Sequence, residues 1–261
     1  MKYGFIGCGN MGGAIARALR KTTDSIMIAD PSPAAAQLAE ELNCQYGSNQ
    51  EVVEGCQRLF LAVKPQVLAI VLNPLQALLQ QHKPLIITMA AGLEIAKIEA
   101  FIGCNLPVIR IMPNTPVAVG KGMITYCKND LVTDEILNDF LSDMQYAGNM
   151  DALPEKLIDA ASAVAGCGPA FMYMFVEALA DGGVACGLPR NKAIEYAART
   201  MAGAAEMVLG SNQHPGQLKD AVCSPGGSTI EGVKVLEQYG MRGAVIDCVV
   251  AAYKRNMELG K

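Results

Sequence analysis

Three glycines near the start of the chain have the spacing Gly-x-Gly-x-x-Gly, in the turn Gly7-Cys8-Gly9-Asn10-Met11-Gly12. The turn follows a short apolar segment and precedes an apolar-periodic run, so we expect a strand, a turn and a helix. In such a unit Gly7 lets the chain turn sharply, Gly9 lets the backbone approach a pyrophosphate, and Gly12 lets the helix pack on the strand. The N–H groups at the helix start favour phosphate binding. On the motif alone, an ordinary strand-to-helix loop stays an alternative.

An acidic residue, Asp30, follows the second predicted strand, Ser25 to Ala29, at the distance from Gly12 where a ribose-binding carboxylate is expected. This context favours nucleotide binding over a structural turn. Pro31, beside Asp30, carries no charge that could pair with a 2′-phosphate, whereas the hydroxyl of Ser32 can still contact one. Because an unpaired carboxylate binds a ribose 2′-OH and repels a 2′-phosphate, we expect NADH to be used appreciably and both NAD and NADP to work.

A second glycine turn, Ser224-Pro225-Gly226-Gly227-Ser228-Thr229, precedes another predicted helix, Ile230 to Gln238. It offers backbone N–H groups at Gly227, Ser228 and Thr229, and hydroxyls at Ser224, Ser228 and Thr229. Donors gathered at the start of a helix can bind a small anion. The other interpretation is a helix start capped by Ser224 or Ser228, and the residue types alone do not decide between the two.

The composition indicates a globular protein with a large core, since 51% of the 261 residues are hydrophobic and 18% are charged. The net charge of -4 and the lack of a basic run argue against a nucleic-acid partner. We expect no apolar stretch to reach the roughly 20 residues of a membrane span. The chain enters its first predicted strand almost directly after Met1, so we expect no signal peptide.

Cysteine and histidine are distributed in a way that predicts no metal site. The nine cysteines occur singly, without a C-x-x-C pair, at positions 8, 44, 56, 104, 127, 167, 186, 223 and 248. The two histidines, His82 and His214, lie far apart in the sequence, so local spacing gives no zinc-type cluster. We therefore expect reduced cysteines that pack as small core residues, and a cytoplasmic protein.

Strands and helices alternate over the first half of the chain, which predicts a mostly parallel sheet with helices on both faces. The later predicted segments are strands at 44–46, 58–63, 85–88 and 108–112 and helices at 33–42 and 67–81. Ligands bind such sheets at the carboxyl ends of the strands. The loops that should line one crevice are therefore 7–12, 62–65, 89–91 and 113–116. The small side chains of Ala90 and Ala91 suit a flat cofactor, although tight loop packing would explain them equally well.

From about Glu155 the strands disappear, and alanine-rich helical segments continue to the end of the chain. The predicted helices are 155–165, 169–185, 189–209, 216–222, 230–238 and 242–258, with Gly166-Cys167-Gly168-Pro169 interrupting the first pair. Their apolar stripes exceed what a small monomeric bundle buries, so we expect at least a homodimer. The expected domains are a dinucleotide-binding domain at 1–152 and a helical dimerisation and substrate domain at 153–261.

Five motifs, in this order and spacing, resemble those of the pyrroline-5-carboxylate reductases. They are Gly4-Phe5-Ile6-Gly7-Cys8-Gly9-Asn10-Met11, Ala62-Val63-Lys64-Pro65-Gln66, Arg110-Ile111-Met112-Pro113-Asn114-Thr115-Pro116, Gly166-Cys167-Gly168-Pro169-Ala170, and His214-Pro215-Gly216-Gln217-Leu218-Lys219-Asp220 with Ser224-Pro225-Gly226-Gly227-Ser228-Thr229. The resemblance covers nearly the whole chain. It implies an α/β fold, a Rossmann-type doubly wound sheet followed by an all-α C-terminal domain. It also implies NAD(P)H-dependent reduction of 1-pyrroline-5-carboxylate to L-proline, the last step of proline biosynthesis.

The resemblance implies roles for residues at both glycine turns. To the cofactor it assigns Gly7, Cys8, Gly9, Asn10, Met11, Asn49, Ala62, Val63, Lys64, Pro65, Met89, Ala90 and Ala91, to which the sequence itself adds Gly12, Asp30 and Ser32. To the substrate it assigns Ser224, Gly226, Gly227, Ser228 and Thr229, with Asp220 and Asn212 close by, and Thr229 as the catalytic residue near the ring nitrogen. This chain departs from the family pattern at three positions. The family often has serine in place of Cys167 and a basic residue in place of Pro31, and usually tyrosine in place of Phe171.

Two other functions are compatible with parts of this pattern. Dehydrogenases of the 3-hydroxyacid type also join a dinucleotide domain to helices. These enzymes resemble one another because they share a lysine on the helix after a G-x-G turn. The helix after Gly168 carries no lysine through Gly187. An imine needs less acid catalysis, because its nitrogen can arrive protonated. A non-catalytic dinucleotide-sensing module would bind cofactor without turnover, and the intact second glycine turn argues against it.

Overall fold

The structure, a computed structural model, describes residues 1–259 of the chain. Within them, eight strands form one sheet: β1 Tyr3–Ile6, β2 Ile26–Ala29, β3 Gln45–Tyr46, β4 Arg58–Leu61, β5 Leu85–Thr88, β6 Val108–Met112, β7 Gly122–Lys128 and β8 Gly148–Ala152. The helices of the first half are α1 Asn10–Leu19, α2 Pro33–Glu41, α3 Asn49–Gly55, α4 Pro65–Leu72, α5 Gln76–His82, α6 Ile95–Ile102 and α7 Asp134–Asp143. Those of the second half are α8 Glu155–Ala161, α9 Gly168–Ala185, α10 Arg190–Ser211, α11 Pro215–Val222, α12 Ser228–Gln238 and α13 Met241–Leu259.

The strands are ordered β3-β2-β1-β4-β5-β6-β7-β8. Strands β1 to β6 run parallel to one another, β7 is antiparallel to β6, and β8 is parallel to β7. The order in which the chain adds strands reverses at β1, which lies between β2 and β4. A crevice therefore opens at the carboxyl ends of β1 and β4. This topology, followed by helices, confirms the predicted Rossmann-type α/β fold.

Helices cover both faces of the sheet. On one face Phe5 and Ile109 pack with buried residues of α1, α2 and α7. On the other face Ile6 and Leu59 pack with buried residues of α3 to α6. The ring of Phe60 stacks on that of Phe5 with centroids 4.6 Å apart. Because both faces are buried, the strands are almost continuously apolar, which is why they could be recognised in the sequence.

The stretch from 117 to 154, for which the sequence pattern predicted no element, completes the sheet. Strand β7 lies beside β6 with Thr125 opposite Met112, and β8 pairs with β7. Helix α7 begins at a side-chain cap, because the Thr133 hydroxyl accepts a hydrogen bond from the Ile136 N–H. The sequence of β8, Gly-Asn-Met-Asp-Ala, follows no period-two apolar pattern, and its residues are half-buried or exposed. It therefore carries no signal of a strand.

Two segments begin or end at residues other than those predicted from the sequence. The strand predicted to run to Val63 ends at Leu61, because the chain must turn before α4, which already begins at Pro65. The helix predicted over 67–81 is divided into α4 and α5 by a 3-10 turn, Asn73–Leu75. Pro74 lies in that turn and has no N–H with which to continue an α-helical hydrogen-bond ladder.

Two compact units make up the described residues: Met1–Cys167 with the part of α13 from Ala252, and Gly168–Ala251. The first unit contains the sheet and α8. The second contains α9 to α12 and the first part of α13, and the small residues Ala180 and Ala193 lie in the packed face between α9 and α10. Because these units are defined by packing alone, the predicted domain boundary between 152 and 153 stays a prediction.

Between α8 and α9 the chain does not break in the way that Gly166-Cys167-Gly168-Pro169 predicts. A π turn, Ser162–Gly166, connects the two helices, and the Cys167 N–H donates a 3.0 Å hydrogen bond to the Ser162 carbonyl. Pro169 lies at the start of α9 and has no N–H to donate to the Ala165 carbonyl four residues earlier, which instead accepts a hydrogen bond from Asn114 Nδ2. The expected interruption is thus a local widening of a continuous helical run.

This helical run, Glu155–Ala185, is long and apolar enough to cross a membrane by length and composition alone, which the sequence reasoning did not expect. Little of it is buried in the single chain, and Met172, Tyr173 and Met174 on α9 are exposed. Large apolar side chains exposed along one helix favour a contact with another protein or with lipid.

Candidate active site

The first glycine turn connects β1 to α1 at the carboxyl end of β1. Gly7 has φ +88°, and a Cβ there would lie 2.7 Å from Val63 Cγ1, so only glycine fits. A Cβ at Gly9 would meet no heavy atom within 4 Å, which leaves open space in front of the backbone. A Cβ at Gly12 would lie 3.1 Å from Ala62 Cβ, where α1 approaches the loop after β4. No side chain caps the start of α1, so its first N–H groups can bind an anion.

The Asp30 carboxylate holds the first glycine turn from the end of β2. Its Oδ2 accepts a hydrogen bond from the Cys8 N–H, and its Oδ1 accepts one from the Ser32 N–H, both 2.7 Å long. Burial, with a smaller contribution from the Asp30 charge, raises the pKa of the Cys8 thiol to about 12, so this cysteine stays protonated. The sequence assigned Asp30 to a ribose hydroxyl, and the structure adds a role in fixing the turn.

The other residues predicted to bind the cofactor lie on neighbouring loops of the same unit. Ala62 to Pro65 connect β4 to α4, and Met89 to Ala91 follow β5. Asn49 is the first residue of α3, just after β3, and a capping box between Ser48 and Glu51 fixes the start of that helix. Because strands β1 to β5 are parallel, these loops share one edge of the sheet with the first glycine turn. Their roles toward a cofactor stay predictions.

The second glycine turn lies in the other unit, between α11 and α12. The Gly227 N–H donates a 3.0 Å hydrogen bond to the Ser224 carbonyl, and Gly226 has φ +68°. Gly227 itself is the N-cap of α12, and no side chain caps this helix, so the alternative of a cap by Ser224 or Ser228 is wrong. The first N–H groups of α12, including those of Ser228 and Thr229, can therefore bind an anion.

Asn212 and Asp220 lie on the elements that precede the second turn. Asn212 ends α10 in the left-handed conformation, with φ +54°. Asp220 lies near the end of α11 and forms a 2.7 Å ion pair with Lys219. Both side chains are exposed, as is Thr229, the second residue of α12. Their roles toward a substrate stay predictions. Over residues 1–259, no group of three or more His, Cys, Asp or Glu side chains could hold a metal ion.

A buried arginine in β6 is a polar feature to which the sequence assigned no role. Arg110 is 1% exposed and forms ion pairs with Glu155 Oε1 at 3.2 Å and Asp159 Oδ1 at 2.9 Å, both on α8. Glu155 Oε1 also accepts a 2.7 Å hydrogen bond from the Ile95 N–H, which begins α6. That helix has no side-chain cap from its own N-cap residue, Glu94. The signal in the sequence is a charge inside the apolar strand Val-Ile-Arg-Ile-Met, since a buried charge needs partners.

The chain is similar along its whole length to enzymes of one family. It is 39% identical over 269 residues to the pyrroline-5-carboxylate reductase of Escherichia coli (strain K12), an alignment that covers 100% of this chain and 98% of that protein. It is 41% identical over 267 residues to that of Synechocystis sp., covering 100% and 99%. Among solved structures, Plasmodium falciparum pyrroline carboxylate reductase with NADP bound has a TM-score of 0.91 at 34% identity, covering 100% of both chains.

Two family models match separate segments of the chain. Residues 2–92 match the model described as NADP oxidoreductase, coenzyme F420-dependent, and residues 155–259 match the model described as pyrroline-5-carboxylate reductase dimerisation. The second description includes dimerisation, and the protein forms a homo-oligomer. Two glycine turns, each before an uncapped helix, accompany this full-length similarity. The chain therefore belongs to the pyrroline-5-carboxylate reductase family.

Proposed function

We propose that this chain reduces 1-pyrroline-5-carboxylate to L-proline with NADPH or NADH, and that its two glycine turns have separate tasks. The first turn binds the cofactor phosphates, and the second binds the substrate carboxylate. The observation that supports this division is a pair of uncapped helix starts, since α1 begins after Gly9 and α12 after Gly227, each without a side-chain cap. Both helices can present N–H groups to an anion. A phosphorylated cofactor and a carboxylate substrate require two such places.

The residues around the first turn fit a dinucleotide. The open space in front of Gly9 can receive a pyrophosphate. Lys64, the exposed N-cap residue of α4, supplies a cation at the same edge of the sheet. Ala90 and Ala91, after β5, place no bulky side chain in the crevice. When bound, the reduced nicotinamide supplies the hydride that adds to the imine carbon.

The residues of the second turn fit the anionic end of the substrate. The N–H groups of Ser228 and Thr229 bind the carboxylate, and the Ser224 hydroxyl adds a further donor beside them. The Thr229 O–H donates a hydrogen bond to the ring nitrogen, and this contact strengthens as a lone pair forms there on the way from planar iminium to amine. Asp220 and Asn212 contribute to the same site. Residues 224–229 include no His, Cys or Lys, and none is needed as an acid because the imine nitrogen arrives protonated.

The function is tested by the loss of reduced-cofactor absorbance when pyrroline-5-carboxylate is added, measured separately with NADH and NADPH. We expect turnover with both cofactors, because the Asp30 carboxylate disfavours a 2′-phosphate while the Ser32 hydroxyl can still contact one. Cofactor binding without turnover of any cyclic imine would contradict the function and favour a dinucleotide-sensing module. Exclusive use of NADPH would contradict only the argument from Asp30 and Pro31.

The role of Thr229 is tested by Thr229→Val, which keeps the shape and deletes the hydroxyl. We expect kcat to fall roughly ten- to a hundredfold, the scale of one hydrogen bond of about 1.4–3 kcal/mol to a charged group, with cofactor affinity nearly unchanged. Thr229→Ser, which retains a hydroxyl, should retain most of the activity. Thr133→Val deletes the hydroxyl that caps α7 and is a control for stability alone. Normal turnover of Thr229→Val combined with loss of cofactor binding would contradict the division between the two turns.

We also propose that the protein works in the cytoplasm. All nine cysteines are unpaired, as expected where the glutathione and thioredoxin systems keep thiols reduced. Recovery of the native protein from a fraction other than the cytoplasm after gentle cell lysis, or with disulfides detected by mass spectrometry under alkylating conditions, would contradict this location.

A further inference from the structure

The side chain of Asn114 connects three segments of the first unit at the carboxyl edge of the sheet. It lies just beyond the end of β6 and is 7% exposed. Its Oδ1 accepts a 2.9 Å hydrogen bond from the Met123 N–H in β7, and its Nδ2 donates a 3.0 Å hydrogen bond to the Ala165 carbonyl. One amide group thus holds the loop after β6, the beginning of β7 and the π turn Ser162–Gly166.

The π turn depends on contacts outside its own helix. Its wider hydrogen-bonding pattern, seen in the 3.0 Å bond from the Cys167 N–H to the Ser162 carbonyl, displaces carbonyl groups from the regular α-helical ladder. Asn114 provides a donor for the Ala165 carbonyl, which receives none from Pro169 four residues later because proline has no N–H. Preceding the turn, α8 is held against β6 by the ion pair between Asp159 and Arg110. The turn is therefore fixed by β6 on one side and by the loop after β6 on the other.

The strand order places Asn114 at one end of the crevice. The first glycine turn follows β1, and Asp30, the expected ribose ligand, follows β2. From β1 the crevice continues away from β2, past β4 and β5, to β6. A dinucleotide with its adenosine at the end of β2 and its phosphates at the end of β1 has its nicotinamide on the side of β4 to β6. Asn114 and the π turn lie on that side.

We propose that Asn114 is a positioning residue for the reduction, which holds the π turn as the wall of the crevice at its nicotinamide end. This inference rests on the proposed function. Asn114 acts through the backbone of Ala165, and the turn in its correct place keeps the nicotinamide in the position from which it transfers hydride. A misplacement of about 1 Å can cost on the order of a hundredfold in rate, so a single hydrogen bond to the turn matters for catalysis.

A matched control lies at the opposite end of β6. Asn129 Oδ1 accepts a 3.0 Å hydrogen bond from the Val108 N–H, and its Nδ2 donates a 2.8 Å bond to the Leu106 carbonyl. Asn129 thus makes the same two kinds of backbone bond at the amino edge of the sheet, away from the crevice. Aspartate at either position keeps the acceptor, removes the donor and sets a carboxylate against a carbonyl. Because Asn129 also donates to Glu99, Asn129→Asp should destabilise at least as much as Asn114→Asp.

We expect Asn114→Asp to lower kcat by about tenfold or more and Asn129→Asp to leave it within about twofold, although both lower the melting temperature. Without substrate, the emission of bound NADPH should change in Asn114→Asp alone, because the nicotinamide is the fluorescent group. The Kd for NADPH should change by less than about threefold, because the phosphates and adenosine bind elsewhere. Hydrogen exchange of the Cys167 amide should become faster only in Asn114→Asp.

A second variant disturbs the π turn without changing Asn114. A Cβ at Gly166 would lie 3.0 Å from the Ser162 Oγ, so one of the two residues must move by a few tenths of an ångström. Because Ser162 is buried and its side chain has little room, we expect Gly166→Ala to shift the turn and to lower kcat in the same way. The double variant Ser162→Ala with Gly166→Ala removes that hydroxyl and should recover the activity. If Asn114→Asp fails to fold, the activities of Gly166→Ala and of Ser162→Ala with Gly166→Ala test whether the position of the π turn controls kcat.

Equal losses of kcat in Asn114→Asp and Asn129→Asp would overturn the positioning role, as would normal kcat and normal NADPH emission in Gly166→Ala. A wild-type protein that binds NADPH but reduces no imine would instead overturn the proposed function. In that case the NADPH emission and the exchange of the Cys167 amide would still show whether Asn114 shapes the nicotinamide end of the crevice.

Discussion

Replacing Arg110 by methionine tests how the sheet holds α8, the segment that leads into the dimerisation half. The Arg110 side chain is 1% exposed, and those of its partners Glu155 and Asp159 are 31% and 16% exposed. Methionine occupies a similar space but leaves the two carboxylates without a cation. Removing one side of a buried ion pair costs about 3–5 kcal/mol. Because both acids keep some contact with water, we expect the lower end, about 3 kcal/mol.

The free energy of unfolding can be measured by urea denaturation at one fixed protein concentration, because subunit association contributes to stability. A loss of about 3 kcal/mol corresponds to a melting temperature about 6–12 °C lower in a protein of this size. Glu155→Gln with Asp159→Asn removes both negative charges. Combined with Arg110→Met, it should give a variant more stable than additivity predicts by at least about 1.5 kcal/mol.

The exposed pair of Arg17 and Glu41 provides a matched control, since its side chains are 45% and 57% exposed and joined at 2.7 Å. Its coupling energy should be only about 0.2–1 kcal/mol. The reasoning is refuted if Arg110→Met costs less than about 1 kcal/mol, or if the coupling at Arg110 is no larger than that of the control pair.

Three further predictions concern the first unit. Gly7→Ala should abolish cofactor binding in a fluorescence titration, because φ +88° and the 2.7 Å approach to Val63 Cγ1 exclude a side chain; wild-type affinity would contradict the role of the turn. The hydrogen bond from Arg58 holds the pKa of Asp139 below its usual value. The Asp139 carboxylate therefore stabilises the folded protein fully above the pKa that it has in the unfolded chain, about 3.9. This stabilisation is lost as the pH falls through the lower pKa that it has in the folded protein. Asp139→Asn should therefore lower the free energy of unfolding at pH 7, by less than about 1 kcal/mol because the carboxylate is half-exposed. The difference in unfolding free energy between the variant and the wild type should shrink toward pH 3. An equal difference at pH 7 and pH 3 would count against this role of Asp139. The Cys8 thiol, whose pKa burial raises to about 12, should resist iodoacetamide at pH 8, and alkylation as fast as that of an exposed thiol, seen by mass spectrometry, would show that it is accessible.

The parallel part of the fold could be predicted because its signals are local. Each buried strand is a short apolar run, and the turn Gly7 to Gly12 has its spacing within one strand-turn-helix unit. The antiparallel edge could not be predicted in this way. Strand β8 is half-exposed and polar, and its place beside β7 depends on pairing at a distance along the chain. Its residues therefore have no pattern of their own from which a strand could be inferred.

The site was predicted in part for the same reason. Asp30 was assigned from its spacing, but its hydrogen bond to the Cys8 N–H links residues from two strands and needed the structure. Asn114 and Arg110 were quoted within a motif without a role, because their partners Ala165 and Asp159 lie about fifty residues further along the chain. Only the buried charge of Arg110 could have been noticed earlier, since a charge within an apolar strand requires a partner.

The spacing of Arg110 and Asn114 has a physical reason. Alternate residues of an extended chain face the same side, so positions 110, 112 and 114 can all reach the helical run beside β6. Four residues of strand span about 13 Å, and the six helical residues from Asp159 to Ala165 rise about 9 Å. The long side chain of Arg110 and the short one of Asn114 make up for the difference between about 13 Å and about 9 Å. The later strand-side residue, Asn114, contacts the later helical residue, Ala165, so strand and helical run proceed in the same direction. A shift of one residue would rotate the helix by about 100° and break both contacts, so the two side chains together set the register of α8 and of the π turn.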